Sequence, residues 1–200
     1  CKKAIAQPDA LPLLQHTLHA LYEQCGETGL LTYAAYDEIG GLEGAIARRA
    51  EEVFGSLPIT AQDRERVLGR ILARLVVTQT DSGAVSSSPI IRSRLDPEEH
   101  QMVQAFIDAH LFVSDLDSGE PIAKVAHEAL LRLWPRAADW IKENLRLLQA
   151  RMRLQHAATR WNDEGRRDDH LLNPGRPLSE AQEVLAKFPD DLKPEVHALI

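Results

Sequence analysis

One histidine of the chain lies where imidazole chemistry would be useful, between a short β-prone run and an amphipathic helix. Residues 122–125 favour a strand, and residues 128–134 have the apolar spacing of a helix. This pattern places His127 at the first turn of that helix. Free N–H groups and the positive end of the helix dipole favour phosphate at such a position. The residue pattern alone leaves a structural role for His127, as a cap or a packing residue, as the alternative.

Nucleotide hydrolysis makes demands that the chain does not meet. It requires a glycine-rich phosphate loop with a lysine and a serine or threonine, together with a carboxylate for magnesium. The chain contains no G-x-x-x-x-G-K-[ST] sequence, and its glycine-rich segment at 40–44 has no lysine and lies between helical segments. We interpret that segment as a bend. The chain lacks both Walker motifs, so we predict no catalytic residue and no ATP hydrolysis by this chain alone.

Other groupings of reactive side chains do not form a recognisable site. His16 and His19 lie three positions apart on a predicted helix, but no carboxylate cluster accompanies them to complete a metal site. The three serines at 86–88 have no glycine elbow or adjacent base that would activate a nucleophile. We therefore predict no metal site and no hydrolase chemistry.

Composition narrows the class of protein. The 200 residues are 44% hydrophobic, which is enough for a packed core, and the formal net charge of −7 argues against a general nucleic-acid or anionic-membrane binder. Two cysteines are too few for a disulfide framework. The sequence has no apolar run long enough for a membrane span or a signal peptide. We expect a cytoplasmic protein.

Charge is unevenly distributed along the sequence. Residues 97–127 contain six acidic side chains against Lys124 alone, and residues 132–167 contain nine lysines or arginines against four acids. Two solvated faces of opposite sign would explain this pattern. An interface within the chain or with a partner is the alternative.

Most of the chain has the 3.6-residue apolar spacing of helices, with one short β segment, so we predict a mainly α fold. Residues 80–88 read as a polar loop. Asp96-Pro97 begins a capped helix that runs to about residue 110, and a hairpin with its turn at 117–120 follows. Helix, helix and hairpin in this order are the outline of a winged helix. The remaining predicted helices cover residues 11–25, 32–36, 42–54, 60–76, 128–134, 136–162 and 179–188.

Three segments in this order resemble the regulatory region of the STAND-class NTPases, signal-transducing ATPases related to apoptotic and plant immune nucleotide switches. They are ALPLLQH at 10–16, GGLEGAIARRAE at 40–51 and HEALLRLWP at 127–135. More narrowly, the chain looks like the bacterial AP-ATPase or NB-ARC-like branch that is often fused to WD40 repeats. The resemblance covers about residues 9–161. It implies a helical domain over 1–58, a winged helix over 59–142 and a helical linker or arm over 143–200.

The resemblance implies roles for two residues. In that class, a histidine at the end of the winged helix contacts the β-phosphate of ADP and holds the closed state, and His127 stands at that position. Ala126-His127-Glu128 replaces the Met-His-Asp of better-known members. A Gly-x-Pro-type motif opens the helical domain, and its proline, matched here by Pro12, packs on the adenine. Ala10 replaces the glycine of that motif. A proline that simply starts a helix is the alternative.

The implied function is that of a regulatory fragment in a nucleotide-dependent signalling switch. The fragment would bind no cofactor alone, and ADP or ATP with Mg would occupy the parent protein. Its partners would be an ATPase core upstream of Cys1 and a sensor or repeat domain downstream of Ile200, and the class allows oligomerisation on activation. The fragment would close over ADP in that core and relay the nucleotide state to the sensor.

Two other functions stay open at this point. One is a helical protein–protein adaptor without a nucleotide role, docking through a basic stripe from Arg146 to Arg160. In the adaptor, the acidic winged helix would be a second docking face beside the basic stripe. The other function is a DNA-binding winged helix, although its recognition helix at 97–110 carries acids and no Lys or Arg. We expect neither nucleic acid nor a membrane to be a partner.

Overall fold

The computed structural model describes residues 10–25, 30–78, 84–166, 172, 175–189, 192 and 194–200. The described residues are 68% helical, with short antiparallel strands and helices at the C-terminus, which confirms the predicted mainly α class. Its contacts divide the chain into two compact units. The first unit contains residues 1–68 and 89–139, and the second contains 69–88 and 140–200. The domain boundaries proposed from the sequence differ from this division and stay a prediction.

The elements follow one another in an order close to the predicted one. The helices are α1 (Ala10–Cys25), α2 (Tyr33–Glu38), α3 (Gly41–Ser56), α4 (Ala61–Leu75), α5 (Pro97–Asp108), α6 (Ala129–Leu133), α7 (Pro135–Asp163), α8 (Arg176–Lys187) and α9 (Pro194–Leu199). The strands are β1 (Val76–Thr78), β2 (Val85–Ser87), β3 (Ile90–Ile91), β4 (Phe112–Asp117) and β5 (Glu120–Val125).

Side-chain caps start α2 and α5, close to where the sequence predicted these helices to begin. The Thr32 hydroxyl accepts a hydrogen bond from the Ala35 N–H at the start of α2. At α5, Asp96 and Glu99 form a capping box in which each side chain accepts from the other residue's backbone N–H. These bonds satisfy N–H groups that have no partner inside a helix, so they fix where each helix begins.

The glycine-rich segment forms the turn between α2 and α3, which confirms the predicted bend. Gly40 and Gly41 both have positive φ angles, of 76° and 67°, a region that favours glycine. A Cβ on Gly44 would lie 2.4 Å from the carbonyl oxygen of Ile39. The glycines therefore allow the tight turn that leads into α3.

The β structure is more extensive than the sequence predicted. In the first unit β3, β5 and β4 form a sheet in that order, and β4 pairs with β5 from Phe112 opposite Val125 to Asp117 opposite Glu120. Ser118 and Gly119, with φ of 51° and 88°, form its hairpin turn. In the second unit β1 pairs with β2. The prediction of a polar loop over 80–88 was wrong for 85–87, and residues 79–83 lie outside the described residues.

An aromatic cluster forms the core of the first unit. The Phe106 ring lies 5.2 Å from Phe112 and 5.5 Å from Trp134, and Phe54 meets Trp134 edge-on at 5.8 Å. These rings join α3, α5, β4 and the residue that follows α6. Because Trp134, Phe106 and Phe54 are almost fully buried, this cluster fixes where the chain leaves the sheet.

A charged side chain lies in the interior of the second unit. Arg151 of α7 is only 4% exposed, and its guanidinium donates to the carbonyl oxygens of Ala73 and Val76. It also lies over the Phe188 ring, 5.1 Å from the ring centre. Ala73 lies in the last turn of α4 and Val76 directly follows that helix. Carbonyls at a helix end find no N–H donor within the helix, so Arg151 supplies donors there.

Candidate functional site

His127 lies in a short connection between the sheet and α6. Val125, the last residue of β5, is buried, and so are Ala129, Leu130 and Leu131 of α6. His127 itself is half-buried. The connection is therefore anchored in the core at both ends, while the histidine keeps part of its surface in solvent.

Backbone hydrogen bonds hold this connection. The Ala126 N–H donates to the Leu111 carbonyl at 2.8 Å, which extends the sheet by one pair. The His127 carbonyl accepts from the Leu130 N–H at 3.0 Å, and the Glu128 carbonyl accepts from the Leu131 N–H at 3.0 Å. Every residue of the connection is thus tied to the strand or the helix beside it, so the histidine is positioned by its backbone.

The structure corrects the predicted placement of His127 on the first turn of a helix. α6 begins at Ala129 and has five residues, and Glu128 occupies the N-cap position. Glu128 makes no side-chain capping bond to α6. The predicted benefit from a helix dipole is small here, because α6 aligns only a few peptide dipoles and His127 lies before its N-cap. His127 is presented by a strand end instead.

A polar network lies where α6 passes into α7. The Trp134 indole N–H donates to a carboxylate oxygen of Glu51 at 3.0 Å. Arg136 binds the same carboxylate through its Nε and Nη2, with the shortest distance 2.6 Å, and also pairs with Glu65. The Arg136 guanidinium lies 4.7 Å from the centre of the Phe54 ring. α3, α4 and the α6–α7 junction therefore share one network seven residues beyond His127.

This network shifts the titration of its members. The hydrogen bond from Arg136 holds the pKa of Glu51 below its ordinary value of 4.5, against the opposing effect of desolvation. The hydrogen bond with Glu51 likewise raises the pKa of Arg136. Both shifts favour the charged pair, so Glu51 and Arg136 are ionised near neutral pH.

The sequence reasoning missed Glu51, Glu65 and Arg136 as a group. Glu51 and Arg136 are 85 positions apart, so no local pattern relates them. The available signal was that Glu51 ends one resembling segment and Trp134-Pro135 ends another. Their contact shows that two of the three segments meet in the structure.

Pro12, the second predicted site residue, lies in the first turn of α1. A proline is compatible with that position because the first N–H groups of a helix have no partner inside it. The side chains of Pro12 and His16 lie outside the described part of the structure. The proposed contact of Pro12 with adenine stays a prediction.

Cationic side chains that a docking face or a DNA contact could use are bound within the structure. On α7, Arg146 pairs with Glu183 and Arg153 pairs with Glu180 of α8, so much of the basic stripe is neutralised inside its own unit. Before α5, the Arg92 guanidinium donates to Gln104 at 2.8 Å and to the Ser114 hydroxyl at 3.2 Å. These contacts weaken the case for a basic docking face or a DNA contact.

Among the described residues, no group of three His, Cys, Asp or Glu side chains is arranged to hold a metal ion. No helix in that part of the chain is long and apolar enough to cross a membrane.

Comparison with known proteins supports the STAND-class resemblance. The model of the family described as Novel STAND NTPase 1 matches residues 1–169. No curated protein and no solved structure matches the chain. The family match includes all three resembling segments and most of the 200 residues. The chain belongs to the Novel STAND NTPase 1 family.

Proposed function

We propose that this chain is the regulatory region of a nucleotide-dependent signalling switch, and that His127 contacts the β-phosphate of ADP held by an upstream ATPase core. The observation that carries the proposal is a histidine held by its backbone at a strand end, half-buried, in a chain of the STAND family. An imidazole N–H donates readily to a phosphate oxygen. A backbone that is already held in place, so that only the side-chain torsions have to be fixed, reduces the entropy lost on binding.

The order of the elements supports the winged-helix part of the proposal. α5 leads into the β4–β5 hairpin, β3 adds to its other side, and His127 follows the last strand. In this proposal the hairpin is the wing, and the connection at 126–128 is its phosphate-sensing end. Pro12 would contact the adenine from the start of α1.

The mechanism we propose is a shift between two states. With ADP bound, the contact from His127 favours the closed state. ATP with Mg changes the phosphate position, removes that differential contact and releases the region from the core. The parent ATPase would supply the nucleotide site, and a downstream sensor, such as a WD40 repeat domain, would receive the change. Oligomerisation of the parent would follow release.

The proposal is tested by the nucleotide content of the full-length parent protein after gentle purification. The wild type should retain ADP, and His127→Ala should release it about tenfold faster, since a hydrogen bond to a charged phosphate is lost. His127→Gln, which retains an N–H donor, should release it more slowly than His127→Ala. His156→Ala serves as the matched control, because His156 is an exposed histidine of α7 in the other unit.

A melting curve by circular dichroism accompanies each variant, to show that the protein remains folded. Equal ADP retention in wild type and a folded His127→Ala would refute the phosphate contact. His127 would then be a structural packing residue only, and the adaptor function would become the better proposal.

A further inference from the structure

The outer edge of β4 is an open sheet edge with an acidic surface. β4 lies at one end of the order β3-β5-β4, and no strand of the described part of the chain pairs with its outer side. Five of its six residues, Val113 to Asp117, are exposed. Val113 and Leu116, at 42% and 69% exposed, add apolar surface to it. An edge of this kind is a template for another strand.

The ladder identifies which backbone groups are available at that edge. The bond from Ala126 N–H to the Leu111 carbonyl makes these residues a hydrogen-bonded pair. Because hydrogen-bonded pairs alternate along an antiparallel ladder, the backbone N–H and C=O groups of Val113, Asp115 and Asp117 point toward β5. The N–H and C=O of Ser114 and Leu116 consequently point away from the sheet. They are the groups that an added strand would bind, after the Leu116 N–H has left the Asp115 carboxylate to which it donates.

Asp115 controls access to this edge. One oxygen of its carboxylate accepts from the Leu116 N–H at 2.9 Å, and the other pairs with Lys124 at 2.7 Å. The hydrogen bond from Lys124 lowers the pKa of Asp115, so the carboxylate is charged. A neutral strand would have to take the Leu116 N–H from this carboxylate and would not offer the carboxylate a new partner. A strand that carries a cation offers one, so the edge discriminates by charge.

The same charges exclude a second copy of this chain as the occupant. Two β4 edges paired with each other would bring Asp115 and Asp117 of both copies together, and Glu120 extends the acidic surface. Like charges on adjacent strands destabilise the pairing. A basic strand would meet three exposed carboxylates, of Asp115, Asp117 and Glu120. The cations beside them are Lys124, which pairs with Asp115, and Arg92, whose guanidinium donates to the Ser114 hydroxyl.

We infer that the β4 edge binds an extended, lysine- or arginine-rich segment of a partner protein by strand addition. Backbone bonds to Ser114 and Leu116 would provide the register, and Asp115 and Asp117 would select the cationic side chains. This interaction is independent of the nucleotide contact proposed for His127.

The test uses the full chain and a labelled six-residue peptide of alternating lysine and valine, as long as β4. Fluorescence anisotropy gives its Kd, and hydrogen exchange reports the Ser114 amide. We expect saturable binding that weakens with salt and slows exchange at Ser114. A peptide with glutamate in place of lysine should not bind. A lysine–valine peptide interrupted by proline should bind at least about fivefold more weakly, because it cannot complete the backbone bonds.

Matched variants of one residue separate backbone pairing from simple charge attraction. Ser114→Pro removes an outward N–H and should weaken binding about fivefold or more. Ser114→Ala removes the same hydroxyl but retains the N–H, so its Kd should stay within about twofold of wild type. Asp117→Lys should weaken the binding of the basic peptide. It should leave the fold unchanged, which circular dichroism checks.

Three results would overturn the inference. Equal binding of the proline-interrupted peptide would indicate attraction without strand addition. Equal Kd values for Ser114→Pro and Ser114→Ala would place the peptide elsewhere. Self-association of the chain through this edge, detected by sedimentation and abolished by Ser114→Pro, would assign the edge to a second copy.

Discussion

The two units of the chain each contain an arginine of α7 that lies over a phenylalanine ring, and the arginines differ in what they bind. In the first unit Arg136 binds the carboxylates of Glu51 and Glu65, and its side chain is 39% exposed. In the second, Arg151 binds two backbone carbonyls and is 4% exposed. The two carboxylates that Arg136 binds can be protonated, and dissolved salt screens their attraction to it. The two carbonyls that Arg151 binds cannot be protonated near neutral pH and carry no net charge for salt to screen.

This difference separates an adjustable contact from a fixed one. A partly exposed ion pair contributes little at high ionic strength and weakens when its acid is protonated. A buried guanidinium that satisfies carbonyls costs much more to remove, because the carbonyls are left without donors in the interior. The junction near His127 is thus held by a contact that solution conditions can change, whereas the α4–α7 contact of the second unit is constant.

Removing Arg151 should give the largest effect. Arg151→Met retains much of the apolar stem but leaves the Ala73 and Val76 carbonyls without their donor, so the free energy of unfolding should fall by about 3 kcal/mol. Urea denaturation followed by circular dichroism measures it. The loss should be the same at low and high salt. Arg153→Met, at an exposed pair on the same helix, is the control and should change stability very little.

Arg136→Met should have a smaller effect that depends on salt. We expect the free energy of unfolding to fall by about 1 kcal/mol. This is less than for a buried ion pair, because solvent screens the exposed guanidinium. The same urea measurement at low and high salt should show the loss shrink as ionic strength rises. A loss as large as that of Arg151→Met, and equally insensitive to salt, would remove the distinction between the two arginines.

Glu51→Gln should have the smallest effect and the clearest pH signature. Its folded pKa lies below 4.5, so its contribution is fully present above 4.5 and is lost as pH falls through the folded value. The variant should be less stable than wild type by about 0.5 kcal/mol near neutral pH. The two stability curves should converge on acidification below 4.5. A difference that persists at low pH would show that the carboxylate charge contributes nothing.

Local rules recovered most of the helices and one of the two hairpins. Thr32, Asp96 and the glycines at 40–44 act through neighbours within a few positions, so their roles can be read from the sequence. β3 was missed because two residues carry no periodicity, and β2 because its serines resemble a loop. No helix was predicted after residue 188, whereas α9 begins at Pro194.

The candidate site was less predictable than the fold. The sequence singled out His127 by its position after a strand, but it set the start of α6 too early. Glu51, Arg136 and Arg151 act through contacts between residues more than 70 positions apart, and no local spacing encodes such contacts. Family resemblance pointed to the right segments, and only the three-dimensional arrangement showed which side chains join them.

Trp134 gives the chain an optical reporter of its own. Its indole N–H is bound to an ionised carboxylate, and its ring lies against two phenylalanines, so its emission depends on whether Glu51 stays in place. Replacing Trp140 and Trp161 with phenylalanine would leave one tryptophan, seven positions after His127. The fluorescence emission of that protein would then report changes around Trp134 in real time, with no attached dye.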